Sequence, residues 1–208
     1  MWTEPRKVRD IVGFDDDAAV GDRELEEIIR IAQEHVKNEL FTYHYDETVN
    51  GNPDTGATWD GSNTTYQTQY YPIQDSDYDF TVTGNTDVAG RWIDSTWTPQ
   101  MANVTVSNVT YGILTICQSG GSTAIPSSAK TVKIDYYTCH RNLTRPILED
   151  LTSYMAAHLV QGRLKTGTSI SLADIQKNRM LIMKEPTEYL RIYRLMVSKV
   201  EGAVITGA

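Results

Sequence analysis

Two helix-patterned ends enclose a long middle segment whose residues do not suit a helix. Residues 22–41, DRELEEIIRIAQEHVKNELF, carry apolar side chains at helical spacing, and that pattern returns only near residue 143 with LTRPILEDLTSYMAAHLVQGRL. Between them lies a stretch rich in Thr, Asn, Gly, Asp and aromatics, in which Arg91 is the sole cation from Asp46 to Ala129. The predicted fold class is α+β: a helical bundle of about four helices interrupted by a β-rich antiparallel insert after the first long helix. The expected organisation is residues 1–45 and 138–201 as the two parts of the helical core, 46–137 as the insert and 202–208 as a C-terminal tail.

Charge follows the same division. Up to Tyr45 there are six Lys or Arg against eleven Asp or Glu; from Asp46 to Tyr137, three against ten; from Thr138 onward, ten against six. The net values are −5, −7 and +4. An acidic body opposes phosphate-backbone binding as the main task, while a cationic end suits docking to an acidic protein neighbour. No apolar run is long enough to span a bilayer, so no membrane partner is expected. The opening MWTEPRKVRDIVGF has charges but no apolar leader core, so no secretory signal is expected. In that setting Cys117 and Cys139 are expected to be reduced and inert.

Local signals refine this outline. Leu25, Ile28, Ile29, Ala32, Val36 and Leu40 make one face of the first long helix, with Asp22 as its expected N-cap. Phe14 to Val20, with Asp15, Asp16 and Asp17, reads as a solvated acidic turn. The insert opens with turn-rich ETVNGNPDTGATWDGSNTT, an expected surface loop. Expected strands are 65–71, 80–82, 91–93, 103–109, 112–118 and 131–137, the alternation being clearest in VTVSNV and TVKIDYY. Pro146 and Pro186 stand where helices begin, and Ser171 with Asp174 resembles a capping box.

Chemistry-bearing patterns are few. Asp75, Asp77, Asp79 and Asp87 space carboxylates as a Ca²⁺ loop does, but Phe80 stands where such a loop uses glycine and no glutamate closes it. They are weak metal candidates, and no cofactor is expected. His35, His44, His140 and His158 lack ligand spacing, and no nucleophile elbow or phosphate-binding loop occurs, so the chain is read as a non-enzyme. Trp59, Tyr66, Tyr70, Tyr71, Tyr78, Trp92 and Trp97 are too many for a small sheet to bury, so some should face a partner or a sugar. Trp59, Trp92 and Trp97 are the chosen partner-facing aromatics.

The order of parts resembles the head–tail connector family of tailed viruses, also called head-completion or adaptor proteins. VRDIVGFDDDAAVGDRELEEIIRIAQEHVKNEL is similar to that family's start. YYPIQDSDYDFTVTGNTDV, NVTVSNVTYGILTI and TVKIDYYTC resemble the β insert of some members, and LTRPILEDLTSYMAAHLVQGRL their second long helix. The resemblance implies a homo-oligomeric ring, usually of twelve copies, seated under the portal protein in the virion neck after synthesis in the host cytoplasm. Such a ring extends the DNA channel without binding DNA specifically and offers a platform to the next neck or tail-completion protein. Arg191, Arg194, Lys199, Val204 and Ile205 are the expected portal-docking residues. The alternative is a carbohydrate- or surface-binding β module on a helical stalk, and a third reading is a metal-dependent hydrolase built on the four aspartates.

Overall fold

The computed structural model describes residues 1–13, 20–49, 61–166 and 188–202. The chain forms two compact units, one from Met1–Leu40 with Asn142–Ala208 and one from Phe41–Arg141.

The first unit is helical. α1 (Pro5–Val12) starts on a proline, whose missing N–H costs nothing in a first turn, and stops at Gly13 with φ of 82°. α2 (Asp22–Leu40) buries Leu25, Ile28, Ile29, Ala32 and Val36 of the face its spacing predicts, while Leu40 at its end is only half-buried. Its first helical bond runs from the Leu25 N–H to the Gly21 carbonyl, so Asp22 lies inside the first turn, where its carboxylate pairs with Arg9 at 2.8 Å. α3 (Arg145–Thr166) is the centre of this unit, with α1, α2 and α4 (Glu188–Gly202) all packed on it. From Leu151 to Val160 every side chain but Tyr154 is buried. Within that stretch Thr152 and Ser153 bond carbonyls one turn back, at Leu148 and Glu149, and Ser153 meets Thr3 at 2.6 Å. α4 buries Leu190, Tyr193, Val197 and Val200, and the Tyr193 hydroxyl donates to Glu39 of α2.

The second unit is a curled antiparallel sheet of seven strands, β1 (Phe41–Thr48), β2 (Thr65–Gln67), β3 (Ile73–Gln74), β4 (Val88–Ile93), β5 (Pro99–Asn108), β6 (Ile113–Gln118) and β7 (Thr131–Cys139). The order is β1-β7-β4-β5-β6-β2, with β3 also pairing with β7. β7 organises the sheet, holding β1 along one edge and β3 and β4 along the other. Alternation works as the pleat requires: Val132, Ile134, Tyr136 and Thr138 are buried, while Lys133, Asp135 and Tyr137 lie on the other face. Val132, Ile134 and Tyr136 of this set join Tyr66, Ile73, Val88, Leu114, Ile116 and Ile125 in one core. Gly84 makes this packing possible, since a Cβ there would stand 1.7 Å from the Val104 carbonyl oxygen. On the opposite face Arg91 pairs with Asp46 and Asp135, and Lys133 with Asp46.

The expected helical bundle with an insert is therefore corrected. The fold is α+β, but the sheet dominates and has a core of its own. The physical reason is β1. Residues 41–48 were expected to end the helical part and open a surface loop; instead they zip onto β7 from Phe41↔Cys139 to Thr48↔Lys133. Residues 80–82 are not a strand, and β3 forms where no strand was expected. The acidic turn at 15–17, the loop around Trp59, the capping box at Ser171 and the tail at 203–208 lie outside the described residues. No described helix is long and apolar enough to cross a membrane.

Candidate functional site

Four features of the sequence reading or the surface invite a functional role. The first is α4. With Leu190, Tyr193, Val197 and Val200 turned inward, the helical period brings Arg191, Arg194, Leu195, Ser198 and Lys199 to the exposed side. Arg191 pairs with Glu188 at 2.7 Å. Among the described residues, Arg194 and Lys199 have no carboxylate at ion-pair distance. Leu195 is 54% exposed in the midst of these cations. Val204 and Ile205, the other expected docking residues, lie outside the described residues.

The second is the acidic loop. Asp75, Asp77 and Asp87 bring carboxylate oxygens within 4.8 Å of one another; Asp79 stays outside that group and caps the Thr81 N–H at 2.6 Å. The sharp turn forms despite Phe80, which adopts φ of 67°, with Tyr78 at 70°. The Asp75 carboxylate holds this shape, taking N–H bonds from Asp77, Tyr78 and Phe80 at 2.9, 2.8 and 2.6 Å. Asp87 takes the Ser76 N–H and hydroxyl on one oxygen and the Thr83 N–H and hydroxyl on the other. A carboxylate oxygen accepts about two hydrogen bonds, so a cation at Asp87 would compete with the loop's own donors. The loop around it, a hydrogen bond to Asp75 and the charges of Asp87 and Asp79 hold the Asp77 carboxyl above the usual range. Asp75 and Asp87 thus hold the loop's own backbone, with Asp77 between them in the same cluster.

The third is the aromatic set, which the structure divides. Trp92 packs against the sheet core, while Trp97 is 73% exposed at the β4–β5 turn with the Lys130 ammonium 5.9 Å from its ring. Trp59 lies outside the described residues. Tyr66 is fully buried.

The fourth was not assembled by the sequence reading: a cleft of about 500 Å³ lined by Thr42 and His44 of β1, Thr138 of β7, the Gln69–Tyr71 segment after β2, and Arg141. His44 lies between Tyr70, at 4.4 Å and 12° between ring planes, and Tyr136, at 5.0 Å. His44 Nε2 is 2.8 Å from the Thr138 hydroxyl. Burial holds the His44 imidazole below its usual range, with the Glu47 carboxylate opposing, so the ring is neutral near pH 7. The Tyr136 hydroxyl donates to Glu47 and accepts the Tyr70 N–H, which ties the stack to the sheet. The signal that pointed this way was the Tyr70-Tyr71 pair; nothing local joined it to His44 or Arg141.

Both cysteines are free thiols, Cys117 buried and Cys139 half-buried. Burial pushes Cys139 up to about 12. No protein family model, curated protein or solved structure matches this chain.

Proposed function

We propose that this protein is a head–tail adaptor of a tailed virus, a structural component of the virion neck that assembles in the host cytoplasm. Twelve copies form a ring under the portal, extend the DNA channel and carry the next neck or tail-completion protein. The observation that carries this reading is the exposed stripe of α4. Arg191, Arg194 and Lys199 line one side of a helix whose other side is locked into the helical unit, with Leu195 exposed among them. A rigid helix presenting cations around an apolar residue suits an acidic protein surface, where the apolar contact supplies affinity and the charges supply orientation.

Charge supports the channel role. The sheet unit carries four Lys or Arg against ten Asp or Glu, and Arg91 and Lys133 are already spent on Asp46 and Asp135. A surface of that sign repels the phosphate backbone, so DNA passes without being held.

Electron microscopy of the purified protein mixed with portal rings tests the reading, together with the mass of the free protein by sedimentation. Added density coaxial with the portal is expected. Paired reversals Arg194→Glu and Lys199→Glu should remove that density while leaving helical circular dichroism unchanged. A discrete small species that never joins the portal would overturn the assignment.

A further inference from the structure

The cleft beside β1 combines a pre-organised aromatic platform, neutral hydrogen-bonding groups and one cation. We infer that it binds an acidic saccharide, a pyranose carrying a carboxylate.

The platform is Tyr70. Its ring is backed by His44 and then by Tyr136, and it still leaves 48% of its surface exposed. A ring fixed from behind costs little entropy when a ligand settles on its open face, and the C–H face of a pyranose is the apolar, flat partner that such a ring takes. Thr42, Thr138 and Gln69 supply hydroxyl and amide groups to the same cleft, the neutral donors and acceptors that sugar hydroxyls require. A volume of about 500 Å³ accommodates a small ligand of one or two sugar rings, and the cleft opens to solvent, so a longer chain can extend out of it.

Arg141 sets the charge of the ligand. Among the described residues it is the one charged side chain lining the cleft. Its guanidinium lies 5.0 Å from the centre of the Tyr71 ring, which orients the fork. Among the described residues no carboxylate pairs with it. The other cations of the sheet unit are engaged, Arg91 and Lys133 by carboxylates and Lys130 over Trp97. An exposed guanidinium in a net-acidic unit selects a ligand with an isolated carboxylate among neutral hydroxyls. A dense polyanion such as nucleic acid would meet repulsion from the surrounding carboxylates. The cleft lies wholly within the sheet unit, so its ligand is independent of whether the chain forms a ring.

Calorimetric titration of the full chain with trigalacturonate tests this, with the neutral galactose trimer and inorganic phosphate as comparison probes. Trigalacturonate should bind at least tenfold more tightly than the neutral trimer, and phosphate should give no heat. Arg141→Gln should lower trigalacturonate affinity about tenfold and leave the neutral trimer unchanged. Tyr70→Ala should weaken both sugars, while Tyr70→Phe, which keeps the ring, should behave as wild type; an unchanged thermal melt confirms that each variant is folded. Three results would each overturn the inference: no heat with either sugar, equal affinity for both with no response to Arg141→Gln, or phosphate binding as tightly as the uronate.

Discussion

Replacing Asp87 asks whether the acidic loop is held from within or by a cation. Asp87 is 3% exposed and accepts the Ser76 N–H at 2.6 Å and the Thr83 N–H at 2.7 Å, besides two hydroxyls. A hydrogen bond to a charged acceptor contributes about 1.5–3 kcal/mol, and a buried N–H left unpaired costs a similar amount. Counting the two N–H bonds and setting the desolvation of the carboxylate against them, Asp87→Ala should cost about 3–5 kcal/mol. Asp87→Asn keeps one acceptor oxygen but turns an NH₂ toward a donor, so about 2–3 kcal/mol is expected. With a urea slope of about 2 kcal/mol/M, the midpoint should fall by roughly 1 M for the asparagine variant and 2 M for alanine. Tryptophan fluorescence reports the transition, since Trp92 packs against the affected core. Asp79→Asn is the control: this exposed carboxylate caps the Thr81 N–H alone, and its loss should stay below about 1 kcal/mol. Wild-type midpoints should be the same in millimolar Ca²⁺ and in chelator. A wild-type midpoint for Asp87→Asn, or a Ca²⁺-dependent rise that the variant loses, would refute the lone-pair argument.

Three further outcomes follow from the sheet unit. Gly84→Ala should destabilise it by more than about 3 kcal/mol, because its Cβ would sit 1.7 Å from the Val104 carbonyl oxygen and backbone must move; a midpoint within experimental error of wild type would contradict that contact. Burial lowers the His44 imidazole below its usual range, so the folded state takes up a proton less readily than the unfolded state. The stability this contributes is complete above about pH 6.5 and is lost as the pH falls through the folded value. His44→Phe, which keeps a ring between Tyr70 and Tyr136, should lose less stability than wild type between pH 7 and 5; parallel pH curves would exclude the effect. Cys139, held up to about 12 by burial, should react with a thiol reagent at neutral pH far more slowly than free cysteine and at that rate only once unfolded, as stopped-flow labelling with and without urea would show.

Legibility in the sequence tracked the range of the deciding interaction. The buried face of α2 and the alternation of β7 were readable because each depends on a period within one segment. β1 was not. FTYHYDET has the aromatic and threonine content of a strand, but it follows α2 with no glycine or proline between them, and its conformation is set by pairing with residues about ninety positions away. α3 was placed correctly at its start, yet its central position was hidden, because neighbours cover its small and hydroxyl residues as fully as its leucines. Phe80 shows the reverse error. Local preference argued against a tight turn there, and three hydrogen bonds to the buried Asp75 carboxylate override it.

The candidate sites divide the same way. Sequence by itself determined that the C-terminal end of the chain would be cationic, that the middle would be poor in positive charge, and that this middle held more aromatic rings than a small core absorbs. Only tertiary structure decided that Trp92 packs against the core and that, among the described residues, no carboxylate pairs with Arg194 or Lys199. It alone brought His44 within 2.8 Å of a threonine 94 residues away, with Tyr70, Tyr71 and Arg141 around the same cleft. Helical and strand periods are short-range consequences of backbone geometry. Strand neighbours and register are chosen by burying one shared core, and that choice exists only when distant segments meet.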